Sequence, residues 1–261
     1  MKVALCAIGR LENDYAREWV EHHISIGFDK IIIADNNHCG EEHFEYVLQD
    51  YIDKKKVTIL NYRDMESAQR KAYNEMYDRY SNHYDWIAFF DFDEFLCVSD
   101  GLKNVKELLQ RHSEKADCVM IPWMMMTDSG LVRKDSRPLM ERFTEHLEEY
   151  GLGKGIIRGG IYGLRYTKSV HVPYYPSLRC CTPTGEETRQ HRRQKSDYSV
   201  AYLKHFSTKT IEEWLTNKCR KGTAGRSFER FKEHYKDYFF TINERTDEKE
   251  QFITNFNKGR I

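Results

Sequence analysis

Short apolar runs alternate with helical patterns through the first half of the chain, and this alternation limits the possible folds more than any other feature. The runs that predict strands are 2–8, 30–37, 55–62, 85–90 and 116–126. The segments between them that have helical spacing are 13–26, 41–52, 66–81 and 102–112. Continuous apolar strands that are joined by helices are typical of a mainly parallel sheet covered on both faces. The sequence therefore predicts an α/β fold.

Polar and mostly acidic residues follow four of these strands at the point where each strand ends. The sequences after the strands are GRLEND, DNN, YRD and DFDEF, in chain order. In open α/β sheets, ligands bind in the crevice beyond the carboxyl ends of the strands. We therefore expect a binding site at this edge of the sheet.

The segment DWIAFFDFDEFL, residues 85–96, leads an apolar strand directly into three carboxylates. If the strand continues, Asp91 and Asp93 point to one face and Phe92 points into the core. Two carboxylates at this separation repel each other unless a cation lies between them. Oxygen ligands at the end of a strand suit Mg²⁺ or Mn²⁺, which also take waters and substrate phosphates as ligands. The segment predicts a divalent metal at Asp91 and Asp93.

Composition narrows the choice of partner and compartment. The 41 lysines and arginines equal the 41 aspartates and glutamates, whereas duplex-binding proteins carry a basic excess, so no nucleic-acid partner is expected. The seven cysteines include no C-x-x-C pair, which favours reduced thiols in the cytosol. No apolar run approaches the roughly 18 residues of a membrane span. We expect a cytoplasmic protein, with peripheral contact at the inner membrane face as an option.

The second half of the chain is less regular. Glycines between 151 and 160 indicate loops, whereas 164–172 and 198–206 alternate like strands. Thr210 and Glu213 have the spacing of a capping box at the start of a helix. The last 39 residues place Phe228, Phe231, Tyr235 and Tyr238 at helical spacing, which is typical of a core face and also compatible with a membrane-surface face. We predict one domain over 1–222 and a helical extension over 223–261.

The segment DWIAFFDFDEFL closely resembles the W-I-x-F-x-D-x-D-E-F-L signature of the family-2-like and family-92-like glycosyltransferases, which have the GT-A fold. ENDYAREWVEHHISIGFDKIIIADNN is similar to the opening of the same family. RPLMERFT, KSVHV and LKHFSTKTIEEWLTNKCRKG are similar to its later blocks, so the resemblance spans residues 1 to about 222. One departure is visible. The family usually has K-N-E after the first strand, where this chain has Arg10, Leu11 and Glu12.

The resemblance implies a GT-A fold and an enzyme that moves a sugar from a nucleotide-diphosphate sugar, with a UDP-sugar favoured, to an acceptor hydroxyl. The acceptor would be a glycan or a lipid-linked molecule in surface polysaccharide or glycoconjugate synthesis. It implies that Asp91 and Asp93 hold Mn²⁺ or Mg²⁺ and the ribose–diphosphate end of the donor. The residues that would line the nucleotide are Ala7, Arg10, Glu12 and Asp35. His205 would be the distal metal or phosphate ligand, with His171 ranked below it.

An inverting transferase also needs a carboxylate base, because the acceptor hydroxyl loses a proton as it attacks. The resemblance to GT-A enzymes implies that this base comes late in the chain. The candidates are Glu186, Glu187 and Glu141, and the alternative for the first two is a solvated acidic loop. Nearby positive residues could close over the diphosphate as a lid or could be surface charge: Arg189, His191, Arg192 and Arg193.

Two other functions stay open from the sequence. A phosphohydrolase of the haloacid-dehalogenase type also carries D-x-D after a strand, with the first Asp as nucleophile. That class expects Thr or Val after the pair, however, and this chain has Glu94 there. The second alternative is a non-catalytic protein that binds a nucleotide sugar or acts as a scaffold. The sugar, the acceptor, the stereochemistry and the oligomeric state do not follow from fold analogy.

Overall fold

A computed structural model describes residues 1–99, 101–149, 151–188, 196–219 and 235–259. The chain forms two compact units, one of Met1–Trp123 with Tyr150–Lys204 and one of Met124–Glu149 with His205–Ile261. The predicted domain boundary at 222/223 lies outside the described residues, and 205–219 group with the C-terminal helices rather than with the first unit. Within the described ranges, no helix is long and apolar enough to cross a membrane.

The strands form one mixed sheet in the described part of the chain. Their bounds are β1 Val3–Gly9, β2 Lys30–Asp35, β3 Val57–Asn61, β4 Trp86–Phe89, β5 Glu94–Val98, β6 Cys118–Met125, β7 Gly153–Arg158, β8 Cys180–Cys181, β9 Glu187–Thr188 and β10 Ala201–His205. The strand order is β3-β2-β1-β4-β7-β6-β10-β5, and β8 pairs with both β6 and β9. Strands β3, β2, β1 and β4 are parallel. The predicted α/β fold with a parallel sheet is confirmed.

Helices follow most of the parallel strands, as the alternating pattern predicted. Their bounds are α1 Asn13–Ser25, α2 Glu45–Asp53, α3 Gln69–Tyr80, α4 Val105–His112, α5 Leu139–Arg142, α6 Ile211–Glu213, α7 Tyr235–Ile242 and α8 Asp247–Asn257. Ser81–His83 form a 3₁₀ turn after α3, and a π-helical turn, Trp214–Lys218, continues α6. Helix α4 begins after Asn104, because its side chain accepts hydrogen bonds from the backbone N–H groups of Lys106 and Glu107.

Strand β7 replaces a loop that the glycines of this region had predicted. It lies antiparallel between β4 and β6. A Cβ atom at Gly153 would lie 1.9 Å from the carbonyl oxygen of Ile121, and one at Gly155 would lie 2.8 Å from Sγ of Cys118. These two glycines therefore allow close packing against β6 rather than a turn.

The segment 164–172, which we predicted as a strand, is irregular in the structure. Its β-pairing with the rest of the described residues is limited to an isolated bridge between Arg165 and Tyr174. The side chain of Asn74 on α3 instead binds both the backbone N–H and the carbonyl of Tyr166, at 2.7 and 3.1 Å. The alternation of this segment therefore reflects packing on a helix, so the strand prediction is wrong.

The second unit contains an ion pair that joins two of the family-like sequence blocks. The guanidinium of Arg142 donates two hydrogen bonds, both 2.9 Å, to the carboxylate of Glu213, and both side chains are buried. Glu213 also completes a capping box with Thr210, so the predicted capping box is confirmed. A buried ion pair is stable only when its polar atoms also have hydrogen-bond partners. The carboxylate of Glu213 has them, because it accepts from both Arg142 and Thr210.

Candidate active site

The carboxyl ends of the parallel strands line up at one edge of the sheet. In the register of β1, β2 and β3, Gly9 lies beside Asp35, and Asp35 lies beside Asn61. Strand β4 ends next to β1, where the backbone N–H of Phe90 donates to the carbonyl of Cys6 at 3.1 Å. The polar residues that follow these strands therefore share one edge, as the sequence predicted.

The segment after β4 is a turn rather than a continued strand. Strand β4 ends at Phe89 and β5 begins at Glu94. The backbone N–H of Glu94 donates to the carbonyl of Asp91 at 3.0 Å, and the N–H of Asp91 donates to Oε2 of Glu94 at 2.9 Å. The prediction that Asp91 and Asp93 lie on one face of a strand is therefore wrong, because this pair of bonds closes the backbone on itself.

The ring of Phe92 fixes this turn on the end of β1. It stacks on Phe44, with ring centroids 5.1 Å apart and an angle of 11° between the planes. A Cβ atom at Gly9 would lie 2.5 Å from the Phe92 ring and 2.8 Å from Phe44. Only glycine leaves room here, so the last residue of β1 determines how closely the aspartates approach the sheet.

Three side chains hold the carboxylate of Asp91. Nζ of Lys154, on β7, lies 2.9 Å from Oδ2. Oδ1 accepts from the hydroxyl of Tyr73 at 3.0 Å and from Nε2 of Gln69 at 3.2 Å, both on α3. Nζ of Lys154 also lies 3.6 Å from Oε1 of Glu94, and neither of these two side chains is exposed to solvent. The first aspartate of the D-x-D pair therefore has a protein cation as its partner.

The protonation states of Asp91, Glu94 and Lys154 depend on one another. Burial acts to raise the pKa of Asp91, but the ammonium of Lys154 outweighs it and lowers that pKa. Burial likewise opposes the charge on Lys154, and the carboxylates of Asp91 and Glu94 overcome it, so its pKa is raised. Burial raises the pKa of Glu94 well above its ordinary value. Lys154 and Asp91 thus form the charged pair, and Glu94 is the carboxyl that binds a proton first.

Two of the residues predicted to line the nucleotide are tied to the loop after β2. The guanidinium of Arg10 donates to both carboxylate oxygens of Glu41, at 2.9 and 2.6 Å, and this contact lowers the pKa of Glu41 to about 2. Asp35 is buried, accepts from Asn37 and forms an ion pair with Arg63 at 2.6 Å. The polar edge is therefore held in place by charged hydrogen bonds before any ligand binds.

The other two nucleotide-lining candidates have different surroundings. Ala7 lies in the middle of the β1 pairing with β2 and has no exposed surface. Glu12 is 8 % exposed and comes directly before α1. Between them, Leu11 has a left-handed backbone with φ of 54°, and its N–H donates to Oδ1 of Asn37 at 2.8 Å. The predicted roles of Ala7, Arg10, Glu12 and Asp35 in nucleotide binding stay predictions.

A group of potential metal ligands lies at the end of β2. Oxygen and nitrogen atoms of Asp35, His43 and Glu45 lie within 4.8 Å of one another. Nη1 of Arg63, however, lies 2.6 Å from Oδ2 of Asp35 and 3.3 Å from Nδ1 of His43. This guanidinium already supplies the positive charge between them. The group therefore fits an internal ion pair better than a metal.

The predicted metal at Asp91 meets a similar obstacle. Both carboxylate oxygens of Asp91 accept hydrogen bonds from Lys154, Tyr73 or Gln69. Asp93, on the same turn, is 4 % exposed. Among the residues that the structure describes, no set of three ligating side chains gathers at these two aspartates. The contacts of Asp91 therefore do not fit it as a direct metal ligand, whereas Asp93 stays the predicted ligand.

The remaining predicted residues are distributed over both units. His205 is the last residue of β10 and Glu141 is an exposed residue of α5, and both belong to the second unit. Glu186 and Glu187 are exposed. Glu187 belongs to β9 and pairs with Cys181 of β8. Three strands, β8, β6 and β7, separate β9 from β4 in the sheet. That pairing does not bring them to the Asp91 turn. The predicted lid residues Arg189, His191, Arg192 and Arg193 lie outside the described residues.

The structure adds residues that the sequence did not single out. Lys154, Tyr73 and Gln69 contact Asp91 directly. A positive charge on His171, which the sequence ranked below His205, acts to lower the pKa of Asp91. The carbonyl of His171 accepts from the N–H of Gly155 at 3.2 Å. A lysine between two glycines at the start of an apolar run, GKGII, was the available signal for Lys154.

Comparison with known proteins identifies relatives of this chain. A model of the protein family described as Glycosyltransferase family 92 matches residues 3–238. The galactan beta-1,4-galactosyltransferase GALS3 of Arabidopsis thaliana is 31% identical over 116 residues, 41% of this chain and 23% of that protein. A glycosyltransferase family 92 protein of Ricinus communis is 26% identical over 118 residues, 45% of this chain and 21% of that protein. The matched region is thus under a quarter of the length of these relatives.

Two solved structures are also similar to parts of this chain. Residues 1–349 of S. aureus TarS share 15% identity at a TM-score of 0.40, over 51% of this chain and 39% of that one. The mannosyltransferase PcManGT of Pyrobaculum calidifontis, in complex with GDP-Man and Mn²⁺, shares 11% identity at a TM-score of 0.35, over 46% and 35% of the two chains.

Proposed function

Because this chain belongs to glycosyltransferase family 92, we propose that it transfers a sugar from a nucleotide-diphosphate sugar to an acceptor hydroxyl. The observation that carries this proposal is the turn after β4. It presents Asp91 and Asp93 beyond the carboxyl ends of parallel strands, with β1 and β2 ending beside it. This is the part of an open α/β sheet where ligands bind.

The names of the relatives support a sugar donor and a glycan acceptor. The Arabidopsis relative is described as a galactan beta-1,4-galactosyltransferase, so a UDP-hexose donor and a polysaccharide or glycoconjugate acceptor are the first to test. Whether the acceptor is free or lipid-linked decides whether the protein works at a membrane face. A cytoplasmic or peripheral location is part of this proposal.

We propose that Asp93 holds Mn²⁺ or Mg²⁺ for the diphosphate of the donor, and the role of His205 as a metal or phosphate ligand stays a prediction. An ion at this position supplies positive charge to the diphosphate leaving group as the sugar–oxygen bond breaks. Asp91 instead accepts hydrogen bonds, and Lys154 holds it in one orientation. Groups that are fixed before the reaction need no reorganisation when charge develops, which favours the transition state.

The acceptor hydroxyl must lose its proton to a carboxylate if the reaction inverts the sugar. Glu141, Glu186 and Glu187 stay the predicted candidates for this base. Glu186 and Glu187 are exposed, and three strands separate β9, which begins at Glu187, from β4 in the pairing order. A substitution of each to glutamine, assayed for sugar transfer at saturating donor, tests the role directly, because removal of a base lowers kcat.

Calorimetric titration of UDP, with GDP for comparison, tests the donor site. We expect wild type to bind UDP in Mn²⁺, and we expect EDTA or Asp93→Asn to weaken binding at least about tenfold, because a phosphate-bridging charge is lost. Asp53→Asn, at the exposed end of α2, is the matched control and should bind as wild type does. Absence of binding to any nucleoside diphosphate would contradict the proposal. Binding without sugar transfer to any acceptor would favour the scaffold alternative.

A further inference from the structure

We propose that the ammonium of Lys154 is a built-in cation of the donor site, which takes the place of a metal ion between Asp91 and Glu94. Asp91 is then a fixed hydrogen-bond acceptor, and any divalent ion depends on Asp93 alone among the three acidic residues of the turn. This inference rests on the proposed function, because it assigns roles within the same site.

The ammonium of Lys154 is in contact with two carboxyl groups, as a bound metal ion would be. Its Nζ lies 2.9 Å from Oδ2 of Asp91 and 3.6 Å from Oε1 of Glu94. The side chains of Lys154 and Glu94 are fully buried, whereas that of Asp91 is 31% exposed. Asp91 therefore keeps exposed surface that a ligand can reach, while Lys154 supplies the buried positive charge that pairs with it.

The backbone of β7 fixes the ammonium at this position. Gly153 and Gly155 flank Lys154 and pack so closely on β6 that neither position has room for a Cβ atom. Lys154 itself is paired with Ile121 in the register of β7 and β6. Neighbouring residues of a strand point to opposite faces, so Lys154 points away from the face of Gly153 and Gly155, and its Nζ reaches Asp91.

The energetics of burial explain why a cation is required there. An uncompensated charge inside a protein is strongly destabilising, and so is the loss of one partner of a buried ion pair. Without Lys154, Asp91 and Glu94 would face each other with no positive charge between them. Their carboxyl oxygens are of the kind that Mg²⁺ and Mn²⁺ prefer as ligands. Removal of the ammonium should therefore create a metal site.

A matched pair of variants tests this inference. Lys154→Met removes the ammonium from the Asp91–Glu94 site, and Lys249→Met removes an equally buried ammonium from the ion pair with Asp128, 2.6 Å, in the second unit. We expect both variants to unfold at lower temperature than wild type in EDTA. Mn²⁺ should restore a large part of the loss in Lys154→Met only, and calorimetry with Mn²⁺ alone should find one more bound ion in that variant than in wild type.

Equal rescue of both variants by Mn²⁺, or rescue of neither, would overturn the inference. Should Lys154→Met fail to fold, Glu94→Gln provides the second test, since it removes one carboxylate and keeps the Lys154–Asp91 pair. We expect Glu94→Gln to bind Mn²⁺ with the stoichiometry of wild type. Loss of an ion in this variant would identify Glu94 as a metal ligand and would contradict the role of Lys154.

These measurements use Mn²⁺ without nucleotide, so they separate the inference from the proposed function. If Mn²⁺ rescues Lys154→Met while wild type binds no nucleoside diphosphate, the built-in cation stands and the transferase proposal fails. If wild type binds UDP with Mn²⁺ while Mn²⁺ does not rescue Lys154→Met, the donor site stands and the role of Lys154 is contradicted.

Discussion

The indole N–H of Trp19 donates a hydrogen bond to the backbone carbonyl of Glu94 at 2.9 Å, and both side chains are fully buried. Glu94 is the first residue of β5 and comes directly after Asp93. Next to this contact, Nε2 of His22 lies 2.7 Å from the carbonyl of Leu96, and Nε2 of His23 lies 3.3 Å from its N–H. Helix α1 therefore holds the strand that follows the two aspartates.

Trp19→Phe tests the importance of this contact. The variant keeps an aromatic ring but leaves the Glu94 carbonyl without its buried donor, which typically costs about 1–3 kcal/mol. We expect urea unfolding to report a loss of this size, and calorimetry to report weaker UDP binding, because the turn loses a support. Trp86 is the first residue of β4, at the end of the strand away from the Asp91 turn. Trp86→Phe is therefore the control, and it should leave UDP affinity unchanged. If UDP affinity falls equally in both variants, the contact has no specific role at the site.

The hydrogen bonds of His23 require a neutral ring. Its Nδ1 lies 2.8 Å from the carbonyl of Trp19 and therefore carries the proton, while Nε2 accepts from Leu96. Burial, followed by the charge of His22, lowers the pKa of His23 well below its ordinary value of 6.5. The unfolded chain thus binds this proton at higher pH than the folded chain does, so stability is complete above the unfolded pKa and falls as the pH drops below it.

We expect the free energy of unfolding to decrease by at least about 1 kcal/mol between about pH 7.5 and pH 5.5, and we expect a smaller decrease in His23→Gln. Urea titrations across this pH range measure both quantities. His146→Gln, at an exposed position, is the control for the loss of a histidine as such. An identical pH dependence in wild type and His23→Gln would show that His23 does not contribute.

Gly9→Ala should disturb the turn through Phe92. The added Cβ would lie 2.5 Å from the Phe92 ring, and overpacking of this kind costs about 1–3 kcal/mol because buried rings must move. We expect lower thermal stability together with weaker UDP binding. Gly163→Ala, where a Cβ meets nothing within 4 Å but φ is +83°, should reduce stability without changing UDP affinity. Unchanged UDP affinity in Gly9→Ala would contradict the role assigned to Phe92.

Leu11→Asn should stabilise the protein. Leu11 has a left-handed backbone with φ of 54°, a conformation that costs an ordinary residue about 1–2 kcal/mol and that asparagine tolerates better. We expect a gain of about 0.5–1 kcal/mol in urea unfolding, since part of this strain is removed. Lys55→Asn, at an exposed position with φ of 58°, is the control away from the site. If Lys55→Asn stabilises and Leu11→Asn does not, packing of the Leu11 side chain outweighs the backbone strain.

The sequence predicted the parts of the fold that follow from hydrophobic periodicity. The strands from β1 to β4 and the helices between them were predictable because each apolar run is continuous and each helix has one apolar face. The family resemblance was confirmed by the match over residues 3–238. The polar edge was also predictable, because parallel strands bring their carboxyl ends together.

The cation of the site could not be predicted in the same way. Glycines were read as turn residues, although Gly153 and Gly155 serve close packing in β7. Lys154 lies 63 residues from Asp91 in the chain, so their contact depends on the antiparallel insertion of β7 beside β4. Pairing between strands that are this far apart in the chain cannot be read from the residues around either strand. Trp19 and His23 were placed on a helix, but their contacts with β5 depend on packing across 75 and 73 residues.

The most direct test of the account is a crystal structure of the protein with UDP and Mn²⁺, with the ion located by anomalous scattering. The account predicts UDP at the carboxyl edge of β1 and β2, the ion in contact with the carboxylate of Asp93, and Lys154 still paired with Asp91. An ion between Asp91 and Glu94, or a nucleotide bound away from this edge, would contradict it.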